Sequence, residues 1–368
     1  MPAPAHRLSE LLQLVRRESR ELFSFSASDR PWEMPLAAAI SAGVPVLVAT
    51  GFGRMADGVV ASLAGMAFLY LPSTPLPHRM AVLMACCFGM IGCYTAGLLG
   101  HLVPLAEVPL ITIAAILVTM ICRYFRVGAP GSLFFIMPMA IGTFAPGTLA
   151  ELPYRIGLFA MGCMFAWAVG LIYSVDILKR RPADPLVATP PAEFEFVYLE
   201  PVIIGLSVGL SLAIALLLQL DKPYWVPVSC LVVVQGVTLR AAWNKQVQRI
   251  VGTSVGLILA GALLSLTTDP WVVAIAILVL TFVIETAVVR HYALAAVFIT
   301  PLTILLAEAP DLQHGNVGAL MQARFLDTLL GAAIGFVAAI ALHNPGFRRR
   351  TGDLLRRIIP ARMYASGT

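Results

Sequence analysis

Long, continuous apolar runs separated by short polar turns dominate the chain between residues 35 and 342. Within these runs apolar residues do not alternate with polar ones, so the pattern predicts helices and argues against the strands of an outer-membrane barrel. Twelve runs are long enough, or nearly long enough, to cross a bilayer, and the second, eighth and eleventh are short. They lie at 35–53, 56–71, 80–99, 104–122, 129–149, 156–178, 201–220, 224–239, 250–267, 270–289, 292–307 and 325–342. The pattern predicts an all-α polytopic membrane protein.

Composition agrees with this fold class. Of the 368 residues, 59% are hydrophobic and 12% are charged, whereas about 25% are charged in a typical soluble domain. The six cysteines lie in or beside apolar runs without CxxC spacing, so we expect buried small hydrophobes. No Walker A loop, HExxH or GxSxG motif is present, and we expect neither an enzyme, a cofactor nor a metal site.

The distribution of basic residues predicts the orientation. With six spans per half, the N-terminus, the linker and the C-terminus share one side, which receives 21 of the 25 lysines and arginines. The opposite side receives Arg54, Arg155, Lys222 and Arg324. This bias predicts cytoplasmic termini in a cell inner membrane. The anionic inner leaflet of the bilayer is the expected partner of the basic residues, so nucleic-acid binding is not expected.

The two halves place similar residues at similar positions. Three pairs are separated by 167, 170 and 169 residues, namely Glu33 and Glu200, Arg79 and Arg249, and Arg155 and Arg324. We predict two parallel six-helix repeats, although arginines that merely cluster at helix ends are the alternative. The predicted units are an amphipathic cytoplasmic segment (1–32), the first repeat (33–178), a cytoplasmic linker (179–198), the second repeat (199–342) and a basic cytoplasmic tail (343–368).

One short motif occurs twice in the second half. It reads Arg249-x-x-Gly252-Thr253-x-x-Gly256 and then Arg324-x-x-Asp327-Thr328-x-x-Gly331, followed by Gly335. The spacing places arginine, threonine and glycine on one helical stripe, each starting at the mouth of a helix. Two interpretations stay open: close helix packing with an interfacial anchor, or a part in binding a substrate.

The four paired arginines are candidate substrate-binding residues. A carboxylate in a low-dielectric core needs a compensating positive group. Arg155 and Arg324 would form a positive pair at the outer mouth, and Arg79 and Arg249 another at the cytoplasmic mouth. The alternative for each is contact with lipid headgroups.

Interrupted helices and aromatic residues extend the candidate substrate site. Pro138 and the pair Thr300–Pro301 break apolar runs, and such helices often line cavities, although a packed kink is the alternative. Tyr224 and Trp225 would suit an aromatic substrate or form part of the interfacial aromatic belt.

Candidate coupling residues are Asp327, Glu285 and His291, because titratable groups inside a span are functional candidates. Asp327 could instead be neutralised by Arg324. Glu285 could be paired with Arg290 or His291.

The segments Tyr224-Trp225-Val-Pro227, Gln235-Gly236-Val-Thr238-Leu-Arg240 and Gln248-Arg249-Ile-Val-Gly252-Thr253-Ser-Val-Gly256 resemble the fusaric acid resistance (aromatic acid exporter) family of inner-membrane proteins. The stretch from Arg324 to Gly335 resembles the family's last helix. The likeness is clear over 199–342 and weak over 33–178. It implies export of aromatic and related weak acids, and a fold similar to plant aluminium-activated malate channels. Many members carry a sizeable cytoplasmic domain, for which the linker and tail here are too short.

Together these features predict an inner-membrane transporter that exports an organic anion, with or without proton coupling. An uncoupled anion channel and a non-transporting membrane scaffold are the alternatives. The sequence leaves open whether the chain forms a homo-oligomer or needs an export partner.

Overall fold

The computed structural model describes residues 28, 30–186, 193–266, 269–308 and 317–359, and every regular element within these ranges is helical. The predicted amphipathic segment before residue 28, part of the linker and the last nine residues lie outside them. The α-helices are α1 (Glu33–Gly51), α2 (Met55–Gly65), α3 (Leu76–His101), α4 (Glu107–Tyr124), α5 (Leu133–Thr143), α6 (Leu152–Arg180), α7 (Glu200–Leu217), α8 (Trp225–Val234), α9 (Leu239–Leu266), α10 (Pro270–Ala287), α11 (Tyr292–Glu308), α12 (Val317–His343) and α13 (Pro345–Ile358).

The first twelve helices follow a repeating order of lengths. Within the described ranges, eight helices are long and apolar enough to cross a membrane, namely α1, α3, α4, α6, α7, α9, α10 and α12, some with an added turn. The other four, α2, α5, α8 and α11, are apolar but shorter. Each short helix is therefore the second member of a group of three, and the order long, short, long occurs four times. The predicted all-α polytopic membrane fold is confirmed.

Helix starts and breaks follow from local residues. Proline occupies the first or second position of α3, α6, α7, α10 and α13, where its missing N–H removes no helical hydrogen bond. The Asp269 carboxylate caps α10 by accepting from the amides of Trp271 and Val272. Gly131 has a φ of 62°, which ends the preceding turn and delays α5 until Leu133.

Helix pairings in the two halves correspond. In the first half α1 packs on α2, α2 on α6, α3 on both α5 and α6, and α4 on α5. The same pairs recur with every number raised by six. The halves meet where α1 packs on α10 and α4 on α7, and where α2 packs on α11 and α5 on α8. These contacts have the pattern of an internal repeat, while the domain boundaries drawn from the sequence stay a prediction.

Two glycine contacts show that the correspondence between the halves extends to single residues. Gly43 of α1 lies against Leu278 of α10, and Gly209 of α7 lies against Thr112 of α4; both partners are displaced by 166 residues. A methyl group added at either glycine would come closer than 3.0 Å to the facing helix. Small residues therefore let the two halves approach closely both where α1 packs on α10 and where α4 packs on α7.

The two helices that contain Arg249 and Arg324 begin earlier in the chain than the apolar runs do. The sequence pattern places Arg249 and Arg324 at helix mouths, but they lie ten residues inside α9 and seven residues inside α12. The polar residues before Arg249 are helical although they lie outside the apolar run. Hydropathy indicates how deep a residue lies in a membrane, and not whether it is helical. All six cysteines are free and buried, as their apolar positions predict.

Candidate functional site

The short helix α8 contacts the two buried arginines of the second half, Arg249 and Arg324. Trp225 and Ser229 lie four residues apart on α8, so their side chains share one face about 6 Å apart along the axis. Arg324 from α12 contacts Trp225, and Arg249 from α9 contacts Ser229. Two arginines from different helices therefore converge on adjacent turns of one helix. We call these four residues the arginine cluster.

Arg324 is held by an aromatic ring and a hydroxyl. It is 2% exposed, and its guanidinium carbon lies 3.5 Å from the centroid of the Trp225 ring, which is a cation–π contact. Its Nη2 donates to Oγ1 of Thr303 at 3.1 Å. The Thr303 hydroxyl in turn donates to the carbonyl of Thr300 at 3.0 Å, which fixes its lone pairs towards the arginine. The planar guanidinium is thus oriented from two sides.

Arg249 retains unused hydrogen-bonding capacity. It is 4% exposed, and its Nη2 donates to Oγ of Ser229 at 3.2 Å. Its Nε is buried and, in the described part of the chain, has no hydrogen-bond partner. A buried charged donor without an acceptor costs free energy, about 1–3 kcal/mol or more. An acceptor that carries negative charge would satisfy this donor.

The charge balance of the cluster involves one buried acid. Asp327 is fully buried on α12, three residues after Arg324 and on the same face. With Asp327 ionised, the cluster and this carboxylate carry a net charge of one positive unit. With Asp327 protonated, they carry two.

Three consecutive polar residues occupy the turn of α9 before Arg249. Lys245 lies one turn before Arg249 and is partly buried. The side-chain oxygens of Asn244 and Gln246 are buried and have no hydrogen-bond partner among the described residues. Buried polar groups within a membrane helix favour contact with water, ligand or other helices over contact with lipid.

The small residues of the repeated motif lie at helix contacts. Gly252 and Gly256 of α9 face α11, whereas Gly331 and Gly335 of α12 face α8. A methyl group at any of these four would come closer than 3.0 Å to the facing helix. Thr253 and Thr328 are buried at 2% and 1% exposure. These contacts agree with the packing interpretation, and they also hold α8 against the helix that carries Arg324.

The corresponding arginines of the first half have different surroundings. Arg79 is buried, and its guanidinium donates to the backbone carbonyls of Ser73 and Thr74 in the loop before α3. Arg155 is 26% exposed and forms an ion pair with Glu151 at 2.9 Å. It lines a crevice of about 10 Å³, which is enough for about one water molecule. The structure thus brings Arg249 and Arg324 to one helix, and it places Arg79 and Arg155 in contacts of their own.

The remaining predicted site residues lie on three different helices or at their ends. Thr300 and Pro301 are buried in α11 beside Thr303, and the Tyr224 ring is tilted against the Trp225 ring with centroids 5.1 Å apart. Pro138 is buried within α5. His291 caps the start of α11 by accepting from the amide of Leu294 at 3.1 Å.

Glu285 has a partner that sequence reasoning missed. Its carboxylate pairs with Arg30, from the segment before α1, at 3.1 Å, and Arg30 also donates to the Glu285 carbonyl. The two residues are 255 positions apart, so no local pattern indicates the pairing. The alternatives considered from the sequence were Arg290 and His291. The ion pair fastens the chain before α1 to the end of α10.

A polar seam between the halves was also missed. Gln235, just after α8, donates to the Ser132 hydroxyl at 2.8 Å, and Thr119 of α4 donates to the same hydroxyl at 2.9 Å. Tyr70 donates to the carbonyl of Gly131 at 2.7 Å. The only signal in the sequence was the Pro130–Gly131 break, because a backbone freed from helical hydrogen bonds needs polar partners nearby.

The fold defines the class: the chain is a multi-pass membrane protein, and in its second half two arginines are buried against one short helix. Residues 210–338 match the family described as fusaric acid resistance protein-like. This stretch contains α8, α9 and most of α12, and hence the whole arginine cluster. The resemblance inferred from the second half is therefore confirmed for that stretch.

Among curated proteins, the uncharacterized membrane protein YvaC of Bacillus subtilis (strain 168) is 32% identical over 147 residues. The aligned stretch covers 39% of this chain, and the chain spans 23% of the length of YvaC. No solved structure matches the chain.

Proposed function

We propose that this protein is an inner-membrane transporter that moves organic anions, chiefly aromatic or related weak acids, out of the cell. The observation that carries the proposal is the burial of Arg249 and Arg324 against adjacent turns of α8. Removing an arginine from water into a membrane helix costs about 2.5–3.5 kcal/mol even on permissive scales. Two such groups against one short helix are best explained by a ligand of opposite charge.

A carboxylate suits the cluster better than a neutral solute. The guanidinium is planar and matches the two oxygens of a carboxylate, and Nε of Arg249 is a donor still in need of an acceptor. When Asp327 is ionised, the net charge of one positive unit is neutralised by one monocarboxylate. A neutral analogue would leave that charge uncompensated.

The aromatic surroundings support an aromatic acid. The Trp225 and Tyr224 rings are tilted against each other, and the Tyr224 ring lies 6.1 Å from the ring of Phe144 at the end of α5. An aromatic substrate could rest against this surface while its carboxylate reaches Arg324. The resemblance to the fusaric acid resistance family supports the same substrate class and the outward direction.

Asp327 supplies a route to proton coupling. A substrate carboxylate and the Asp327 carboxylate would both be attracted to the same guanidinium, so protonation of Asp327 favours anion binding. Proton and anion would then cross the membrane together, and export would be driven by an outward gradient of the anion. Glu285 is the weaker candidate, because its carboxylate is already paired with Arg30. The excess of basic residues at the termini supports their cytoplasmic location.

Reconstituted vesicles test the proposal. We expect saturable flux of benzoate that exceeds the flux in protein-free vesicles, and no competition by benzamide, its neutral isostere. A proton gradient should drive benzoate uphill in wild-type protein and fail to do so in the Asp327→Asn variant. The Glu285→Gln variant, in which a different buried carboxylate is neutralised, should retain the gradient dependence.

Two outcomes would contradict the proposal in different ways. Benzoate conductance that ignores the proton gradient in all three proteins would indicate an uncoupled channel. A folded protein that moves no carboxylate of a weak-acid panel would indicate a membrane scaffold.

A further inference from the structure

The last described helix, α13, follows a membrane-spanning helix almost without interruption. Only Asn344 separates α12 from α13. The Asn344 side chain accepts hydrogen bonds from the amides of Gly346 and Phe347, and Pro345 fills the first helical position, so α13 begins as a capped helix in a new direction. Its first turn therefore lies at the end of a span, where the membrane surface must be.

One face of α13 is bound to the protein. Leu355 and Ile359 pack on a small apolar cluster formed by the turn before α7, and Gly352 is buried against Leu199. Arg348 donates to Glu195 at 2.5 Å and to Glu200 at 2.9 Å. Burial lowers the pKa of Arg348, but the two carboxylates outweigh burial and raise it, so the arginine stays charged.

A second face of α13 is apolar and exposed. Phe347, Leu354 and Ile358 are 44%, 58% and 70% exposed. Their spacing of seven and then four residues places them on one stripe of the helix, away from Gly352 and Leu355. An apolar stripe of this kind on a helix of fourteen residues needs a partner.

The charges next to this stripe indicate which partner. The helix contains five arginines and one aspartate. Arg350 and Arg357 each follow an apolar residue of the stripe by three positions, so they flank it, and Arg349 is exposed as well. An apolar stripe bordered by cations is the arrangement of a helix that lies in the headgroup region of an anionic bilayer.

We propose that α13 is a two-faced surface helix that binds the anionic cytoplasmic leaflet with Phe347, Leu354 and Ile358 while its other face holds α7. The interaction has a structural consequence, because Glu200, which receives Arg348, also pairs with Arg123 of α4. The helix bound to the leaflet therefore stabilises a contact between the halves, the one at which α4 packs on α7. The inference does not depend on what the protein transports.

Spin labels at two neighbouring residues of the full chain test the proposal. Leu354→Cys places a label on the exposed stripe, and Asp353→Cys places one on an adjacent exposed residue outside it; the six native cysteines are buried, and unsubstituted protein gives the background. In vesicles that contain phosphatidylglycerol, we expect the label at 354 to become accessible to oxygen and protected from a water-soluble nickel chelate. The label at 353 should stay accessible to the chelate.

Charge removal and lipid replacement complete the test. The combined changes Arg349→Gln, Arg350→Gln and Arg357→Gln, or vesicles of phosphatidylcholine alone, should return the 354 label to the aqueous phase. Labels at 353 and 354 that are equally aqueous in phosphatidylglycerol vesicles would overturn the proposal. A label at 354 shielded from both oxygen and nickel would also overturn it, since protein rather than lipid would then cover the stripe.

Discussion

The two halves of the chain use the same packing but place their arginines in different environments. Arg249 and Arg324 converge on α8, buried beside Ser229 and Trp225. Their counterparts, Arg79 and Arg155, bind loop carbonyls and a half-exposed glutamate. The comparison teaches that an internal repeat fixes where helices lie, while a few substitutions decide which copy buries two arginines against one short helix.

The difference can be traced to the short helices. Ala61 of α2 and Val226 of α8 face the equivalent glycines Gly162 and Gly331, and at this offset of 165 residues the counterparts of Trp225 and Ser229 are Val60 and Ala64 of α2. Valine offers no ring for a guanidinium to stack on, and alanine offers no hydroxyl to accept from it. The first half therefore cannot hold a buried arginine in the same way.

The arginine replacements should produce the largest contrast. We expect Arg249→Gln and Arg324→Gln to lower carboxylate flux by about 10- to 100-fold, because each removes a charged hydrogen bond of about 1.5–3 kcal/mol to the anion. Flux per inserted protein in vesicles, with thermal stability measured in parallel, would show it.

Arg79→Gln is the matched control for this contrast. It should lower stability, since its guanidinium holds the loop before α3, and it should leave the flux of the surviving folded protein nearly unchanged. Equal loss of flux in the Arg79 and Arg249 variants, at equal stability, would show that the halves share the site.

Glycine replacements, unlike the arginine replacements, should have an equal effect in both halves, and the quantity they change is stability. Gly162 of α6 faces Ala61 of α2, and Gly331 of α12 faces Val226 of α8, with the two glycines 169 residues apart. An added methyl group would meet backbone atoms closer than 3.0 Å in both places. We expect Gly162→Ala and Gly331→Ala each to lower the free energy of unfolding by about 1–3 kcal/mol.

Gly157→Ala, on the same helix as Gly162, is the control. Nothing lies within 4 Å of a methyl group there, so this change should be neutral or slightly stabilising. Thermal unfolding in one detergent would compare all three. A large loss for Gly331→Ala with none for Gly162→Ala would limit the shared packing to the second half.

Much of this fold was accessible from the sequence. Continuous hydrophobicity is a local property, so the apolar runs predicted the twelve helices and the shortness of α2, α8 and α11. Helix ends were less accessible. The residues before Arg249 include Asn244, Lys245 and Gln246, which look like a loop by hydropathy although they are helical.

The site was only partly accessible, because it depends on which helices pack together. The motif around Arg249 and Arg324 identified both residues, and Trp225 was named as an aromatic candidate. Their meeting on α8, and the roles of Ser229 and Thr303, require the packing of α8 against α9, α11 and α12. The sequence-based pairing of Arg324 with Arg155 followed the repeat and had no information on this neighbourhood.

Replacement of Arg155 should have the smallest effect on stability and flux, and it is the strictest test of the difference between the two halves. Its ion pair with Glu151 joins side chains that are 26% and 49% exposed, and exposed pairs contribute about 0.2–1 kcal/mol because water and salt screen them. We therefore expect Arg155→Ala to change the free energy of unfolding by less than about 1 kcal/mol and flux by less than about twofold. Glu151→Gln should have a similar effect on stability, since it breaks the same pair. A strong loss of carboxylate flux in Arg155→Ala, with Glu151→Gln unaffected, would instead assign the arginine to the anion path and restore symmetry between the halves.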